Sequence, residues 1–203
     1  MDAKKFQKVR EDLIEVYPPE IDDPRLQYVR RTWIFPNHID IAVDFARQLA
    51  EKYKANTEVA MLGALLHDAG LAYKRESADP AGHENRSIEY AKEFLPKYGY
   101  DKELIDEVVK CIDATEPEVE PTTLEAKIVR SADAMSHMLS VHYLAKTKFA
   151  SDWEGGISFV EKKIKKDFSK VCLDDERELV RPVYEYFSKI VEQYRTDKII
   201  TLS

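Results

Sequence analysis

Apolar residues recur at three- and four-residue spacing along almost the whole chain, and nowhere do they alternate with polar ones over a strand-length run. That periodicity admits amphipathic helices and leaves no half-buried sheet. A first helix is predicted over residues 3–17 and is stopped by Pro18-Pro19. Asn37 is placed as the N-cap of a helix whose stripe is Ala42, Phe45, Ala46, Leu49, Ala50 and Tyr53, with His38 on the same line. Asn56 or Thr57 caps the next helix, which runs through Val59, Leu62, Gly63 and Leu66 and ends near Gly70. Residues 71–82 read as an exposed loop. Further helices are expected over residues 84–98, 101–115 and 122–148, then, after a break at WEGG, over 158–170 and 174–195. The expectation is an all-α bundle of about eight helices forming one domain over residues 1–203, with residues 156–203 as a carboxy-terminal helical extension. Only 6 Gly in 203 residues agrees with helices rather than many tight turns.

Charge narrows the partners. A net charge of -7 argues against a nucleic-acid backbone as the main partner. Cys111 and Cys172 lie far apart without a CxxC pattern and read as small buried hydrophobes in a reducing compartment. The amino terminus is charged and amphipathic, and no window is apolar for the length of a bilayer span. A cytoplasmic protein with neither a membrane nor a nucleic-acid partner is expected.

Against that background the stretch GALLHDAG, residues 63–70, is anomalous. It sets His67 and Asp68 at the end of a run that otherwise reads as buried helix, and burial of an ionisable group is costly unless it is paired or metal-bound. Asp133 sits in AKIVRSADAMSHML, where apolar residues cover most of the helix circumference. His38 lies on an apolar stripe as well. Two imidazoles and two carboxylates make a mixed N/O set that suits Mn, Fe, Co, Ni or Zn and is poor for Ca. One divalent transition metal held by His38, His67, Asp68 and Asp133 would keep coordination positions open for water and substrate. Each residue also has a plainer reading: His38 as a satisfied core or cap histidine, Asp68 as the end of a helix, Asp133 as the partner of Arg130 or His137.

The order H…HD…D, with His38, His67-Asp68 and Asp133 in helical context, resembles the HD-domain superfamily of metal-dependent phosphohydrolases over residues 33–144. LLHDAG, the following loop with His83, CIDAT and PTTLEAKIVRSADAM are similar to the small stand-alone HD hydrolases. The resemblance implies an all-α HD core, the four-residue metal site above, and hydrolysis of a small phosphorylated substrate, commonly a nucleotide. It gives Asp68 a second role, orienting the attacking water. Many relatives continue the pair as HDIGK where this chain has HDAGLAYK, so Lys74 is either a phosphate contact or a solvated lysine. His83 fits the first extra histidine of two-metal relatives, whereas Thr115 stands near the second. His83 is therefore a general acid or phosphate contact, or a surface residue at a helix start. Arg130 either binds phosphate or neutralises acids. Arg30, Arg31 and Trp33 form either a clamp with a stacking ring or a capping Trp with surface arginines. His137 and His142 are read as packing or surface residues, and the lysines of EKKIKKDFSK as a solvated face. The competing reading is a regulatory module that holds metal and nucleotide without turnover; a homo-oligomer stays open.

Overall fold

The computed structural model describes residues 2–74, 81–150 and 152–196. Regular structure among these residues is helical throughout. Helix α1 (Ala3–Ile14) starts at Asp2, whose carboxylate accepts from the amides of Lys4 and Lys5. A 3-10 turn (Pro24–Val29) leads to the short α2 (Arg31–Ile34), which passes through a π-turn (Phe35–Ile39) into α3 (Asp40–Tyr53). Then come α4 (Thr57–Leu66), α5 (His83–Phe94), α6 (Lys102–Asp113) and α7 (Leu124–Met138). The chain closes with α8 (His142–Phe149), α9 (Trp153–Lys170) and α10 (Asp174–Thr196). Helix α7 is the central post: every residue from Ile128 to Met138 is buried, flanked by α3, α4, α6 and α9.

Several boundaries move from the expected positions, each for a local reason. Asn37 is not an N-cap. Pro36 cannot donate into a regular α ladder, so the helix starts earlier and absorbs the proline in the π-turn. The Asn37 side-chain Nδ2–H donates to the Trp33 carbonyl at 2.8 Å, and His38 is carried on the bulge, facing the core. Asn56 caps α4 through the amides of Glu58 and Val59. The α4 ladder ends at Leu66 rather than near Gly70, with His67 as its C-cap. The single helix expected over residues 122–148 is broken after Met138; the Ser140 hydroxyl accepts from the His142 amide at 3.2 Å and starts α8. WEGG is no break: Asp152 accepts from the Gly155 amide and caps α9. Of the loop expected over residues 71–82, residues 75–80 lie outside the described residues, and Leu71 ends a 3-10 turn (Ala69–Leu71).

Gly70 is needed for contact rather than for an unusual backbone angle. A Cβ there would overlap the His83 carbonyl oxygen and lie 2.8 Å from the Ser87 nitrogen. Its amide donates to Ser87 Oγ at 2.8 Å and its carbonyl accepts from Arg86 Nε at 2.9 Å, which ties α5 to the end of α4. Gly70→Ala should displace α5, cost about 1–3 kcal/mol of unfolding free energy in a urea titration, and pull His83 off Asp68. Wild-type stability in that variant would show that the close approach is unimportant.

Candidate metal centre

His38 from the π-turn, His67 and Asp68 from the end of α4, and Asp133 from α7 meet in the interior. His38 Nε2 lies 3.0 Å from His67 Nε2, 3.1 Å from Asp68 Oδ2 and 3.6 Å from Asp133 Oδ1. His67 Nε2 lies 3.4 Å from Asp133 Oδ1 and 3.7 Å from Asp68 Oδ1. One ligand atom each from His38, His67 and Asp133 falls within 4.8 Å of the others.

The hydrogen bonds around the cluster fix which ring nitrogens face it. His67 Nδ1–H donates to the Ala64 carbonyl at 2.7 Å, a bond that the C-cap position of His67 makes possible. The Ser136 hydroxyl donates to the Asp133 carbonyl at 2.7 Å and so accepts from His38 Nδ1–H, also at 2.7 Å. With both Nδ1 protons committed, the neutral rings present Nε2 lone pairs toward one point, as metal-ligating histidines do. Two lone pairs 3.0 Å apart repel unless a proton or a cation lies against them. Two carboxylates complete a set that fits a divalent transition ion.

Electrostatics agree. Burial alone would depress the His67 imidazolium, but the Asp68 and Asp133 carboxylates lift it to about 9. Burial would raise both carboxylic acids, yet Asp68 beside His67, His38 and His83, and Asp133 beside Lys170, His137 and His67, are held well below the usual range. The His67 pKa is thus raised above its ordinary 6.5 in the metal-free fold. The stability this contributes is fully present below about pH 6.5 and is lost as pH rises through about 9. Metal requires the neutral ring, so metal affinity should rise over the same interval and binding should release protons. Calorimetry of manganese binding in buffers of different ionisation enthalpy checks this, and affinity falling with pH would contradict it.

A second ring of residues extends the site. Lys170, buried on α9, donates to Asp133 Oδ2. The His137 ring stacks on His38 with centroids 4.4 Å apart, and Lys163 Nζ lies 3.0 Å from His137 Nδ1 and 2.6 Å from Asp167 Oδ1. Asp167, fully buried, also accepts from Tyr143 at 2.8 Å. His83 Nε2 reaches Asp68 Oδ1 at 3.3 Å, and its Nδ1 lies 3.1 Å from Glu84 Oε2.

The cluster forms the floor of a cavity of about 230 Å³. The lining includes Lys146, Lys163, Lys166 and Lys170 together with Tyr28, Trp33 and Phe159, the Lys146 ammonium lying 2.9 Å above the Tyr28 ring centroid; His83, His137 and His142 also line it. On α9, Lys162 and Lys165 are exposed as expected, whereas Lys163, Lys166 and Lys170 line the cavity; His137 and His142 are buried, ring-packed residues outside the metal cluster that also line it. Asp167 and Lys170 continue the apolar face of Val160 and Ile164, an irregularity that could have flagged them.

Two expected phosphate contacts are placed elsewhere. Lys74 Nζ is bound by Glu89 at 2.6 Å and lies 3.5 Å from Glu93, outside the cavity wall. Arg130 donates to the carbonyls of Val119, at 2.5 Å, and Pro117, at 3.0 Å, and braces the segment after α6. Arg30 pairs with Glu20 at 3.3 Å and Arg31 with Glu15 at 2.7 Å, so of the proposed clamp only Trp33 faces the cavity. Cys111 is buried against Gly63, where an added Cβ would approach its own to 2.8 Å.

A family model described as HD domain matches residues 12–138. Ribonuclease Y of Finegoldia magna is 39% identical over 94 residues, 46% of this chain and 16% of that protein. Ribonuclease Y of Thermosipho melanesiensis is 38% identical over 101 residues, 49% of this chain and 18% of that protein. The chain thus spans only a small part of the curated relatives it matches. Among solved structures, Bacillus subtilis YpgQ in complex with ADP superposes with a TM-score of 0.66 at 21% identity, covering 96% of this chain and 95% of that one. A predicted HD superfamily hydrolase from an uncultured Thermotogales bacterium gives 0.62 at 21%, covering 94% and 91%. No helix among the described residues is long and apolar enough to cross a membrane. With more than half its length matched, and with the histidines and aspartates of the H…HD…D order brought together in a helical bundle, the chain belongs to the HD domain family.

Proposed function

We propose that this protein is a metal-dependent phosphohydrolase acting on a small phosphorylated metabolite, most simply a nucleotide. One observation carries the reading: two imidazole lone pairs and two carboxylates converge at the floor of a cavity whose wall carries four lysines. His38, His67, Asp68 and Asp133 would hold the ion, which when bound supplies Lewis acidity at a phosphoryl oxygen and eases deprotonation of water. Asp68 is kept ionised at the cavity edge and can align an attacking water and accept its proton. His83, in contact with Asp68, can pass a proton toward the leaving group. Lys166 lines the space in which phosphoryl charge would develop and can stabilise it, with Lys163, held by Asp167 and His137, beside it. Lys74 and Arg130 take no part in this arrangement. The ADP bound in the superposable YpgQ crystal supports a nucleotide ligand.

The ribonuclease Y relatives favour a second reading, in which the same centre cleaves an RNA phosphodiester. A screen of nucleoside mono-, di- and triphosphates, p-nitrophenyl phosphate and a short single-stranded RNA, each with Mn, Co, Ni, Zn and Mg, separates the two. Phosphate or pyrophosphate released from nucleotides is the expected result. Cleavage of RNA alone would select the second reading. Thermal stabilisation by nucleotide without product in any metal would mark a binding module instead.

A further inference from the structure

His142 is 5% exposed, faces the cavity, and has no hydrogen-bond partner at either ring nitrogen. Its ring centroid lies 4.1 Å from that of His137 and 6.0 Å from those of His38 and Trp33. The residue therefore sits one ring away from the candidate metal centre, in the cavity that the lysines and aromatic residues also line. A buried polar side chain is normally satisfied, and two orphaned nitrogens on one ring are a standing cost to the fold. A phosphate alone does not account for them: as an acceptor it could take a hydrogen bond from one ring nitrogen but would leave the other, itself an acceptor, unpaired. Burial, with His137 and Lys163 nearby, holds this imidazole well below its ordinary pKa. The neutral ring offers one donor and one acceptor, the complement of an uncharged group that does both.

We infer that His142 is a specificity-determining residue that hydrogen-bonds an uncharged polar group of the substrate, a sugar hydroxyl or the donor-and-acceptor edge of a base, beside the reacting phosphoryl group. The inference rests on the nucleotide reading above and says which part of such a ligand the protein inspects. Trp33 and Tyr28, in the same cavity, supply flat apolar surface for the rest of the organic moiety.

Calorimetric titration of the manganese-loaded protein with ADP tests this without relying on turnover. His142→Phe and His142→Leu should each weaken ADP binding about tenfold, the effect of one lost hydrogen bond. Without ligand their Tm should be equal to or above that of wild type, because an unsatisfied polar ring has been replaced by an apolar side chain. The loss should vanish for whichever of 2′-deoxy-ADP, 3′-deoxy-ADP or purine riboside 5′-diphosphate, which lacks the 6-amino group, is missing the recognised group. Equal ADP affinity in wild type and both variants overturns the inference, as does a loss of the same size with all three analogues. A wild-type protein that shows the expected pattern but hydrolyses nothing leaves the inference standing and removes only the phosphohydrolase reading. A wild-type protein that binds no ADP overturns the inference.

Discussion

Asp68→Asn is expected to lower kcat by about 10²–10⁴-fold at saturating metal, with helical circular dichroism unchanged. Asp68 is the more exposed of the centre's two carboxylates, both of which line the cavity, and it lies 3.1 Å from His38 and 3.3 Å from His83. The amide keeps the shape but neither accepts a proton from water nor offers a charged ligand atom. Three ligands remain in His38, His67 and Asp133, so metal should still bind, more weakly, by calorimetry. That separates loss of chemistry from loss of metal. Turnover within threefold of wild type would remove Asp68 from the mechanism.

Lys170→Met should produce the largest change in stability. Lys170 and Asp133 are both buried, 4% exposed each, and the ammonium donates to Asp133 Oδ2. Removing one partner of such a pair strands a charge in a poorly solvating interior and typically costs about 3–5 kcal/mol. A divalent ion against the other oxygen of Asp133 would neutralise much of the same charge. The loss should therefore be full in urea titrations with a chelator and clearly smaller with saturating manganese. Equal losses under both conditions would mean that Asp133 does not share its charge with a metal.

Much of this arrangement was legible in the residues. Helical periodicity identified the all-α class because the outer helices bury a single stripe, as α3 does with Ala42, Ala46, Leu49 and Ala50, whereas α4 and α7 are buried all round. The cluster was legible because His38, His67, Asp68 and Asp133 each interrupt an apolar surface. What escaped depends on pairings across long separations. The salt bridge from Asp133 to Lys170 spans 37 residues and leaves no local periodic mark. Lysines in EKKIKKDFSK look solvated until α9 is packed on α7, where Lys163, Lys166 and Lys170 share the cavity side. His142 was hidden by the break after Met138, which local propensity does not announce because α7 ends at Leu139 with neither Gly nor Pro beside it. For Lys74 and Arg130 the alternatives could not be separated without the fold. Their charge suited phosphate, but Glu89 and the Val119 and Pro117 carbonyls engage them first.

The central claim is that one divalent ion is shared by His38, His67, Asp68 and Asp133. Anomalous diffraction from a zinc-soaked crystal tests it most directly. The account predicts one strong peak at about 2.0–2.2 Å from His38 Nε2, His67 Nε2 and an oxygen of each aspartate. Strong zinc peaks only on other residues, with none between those two rings, would contradict it.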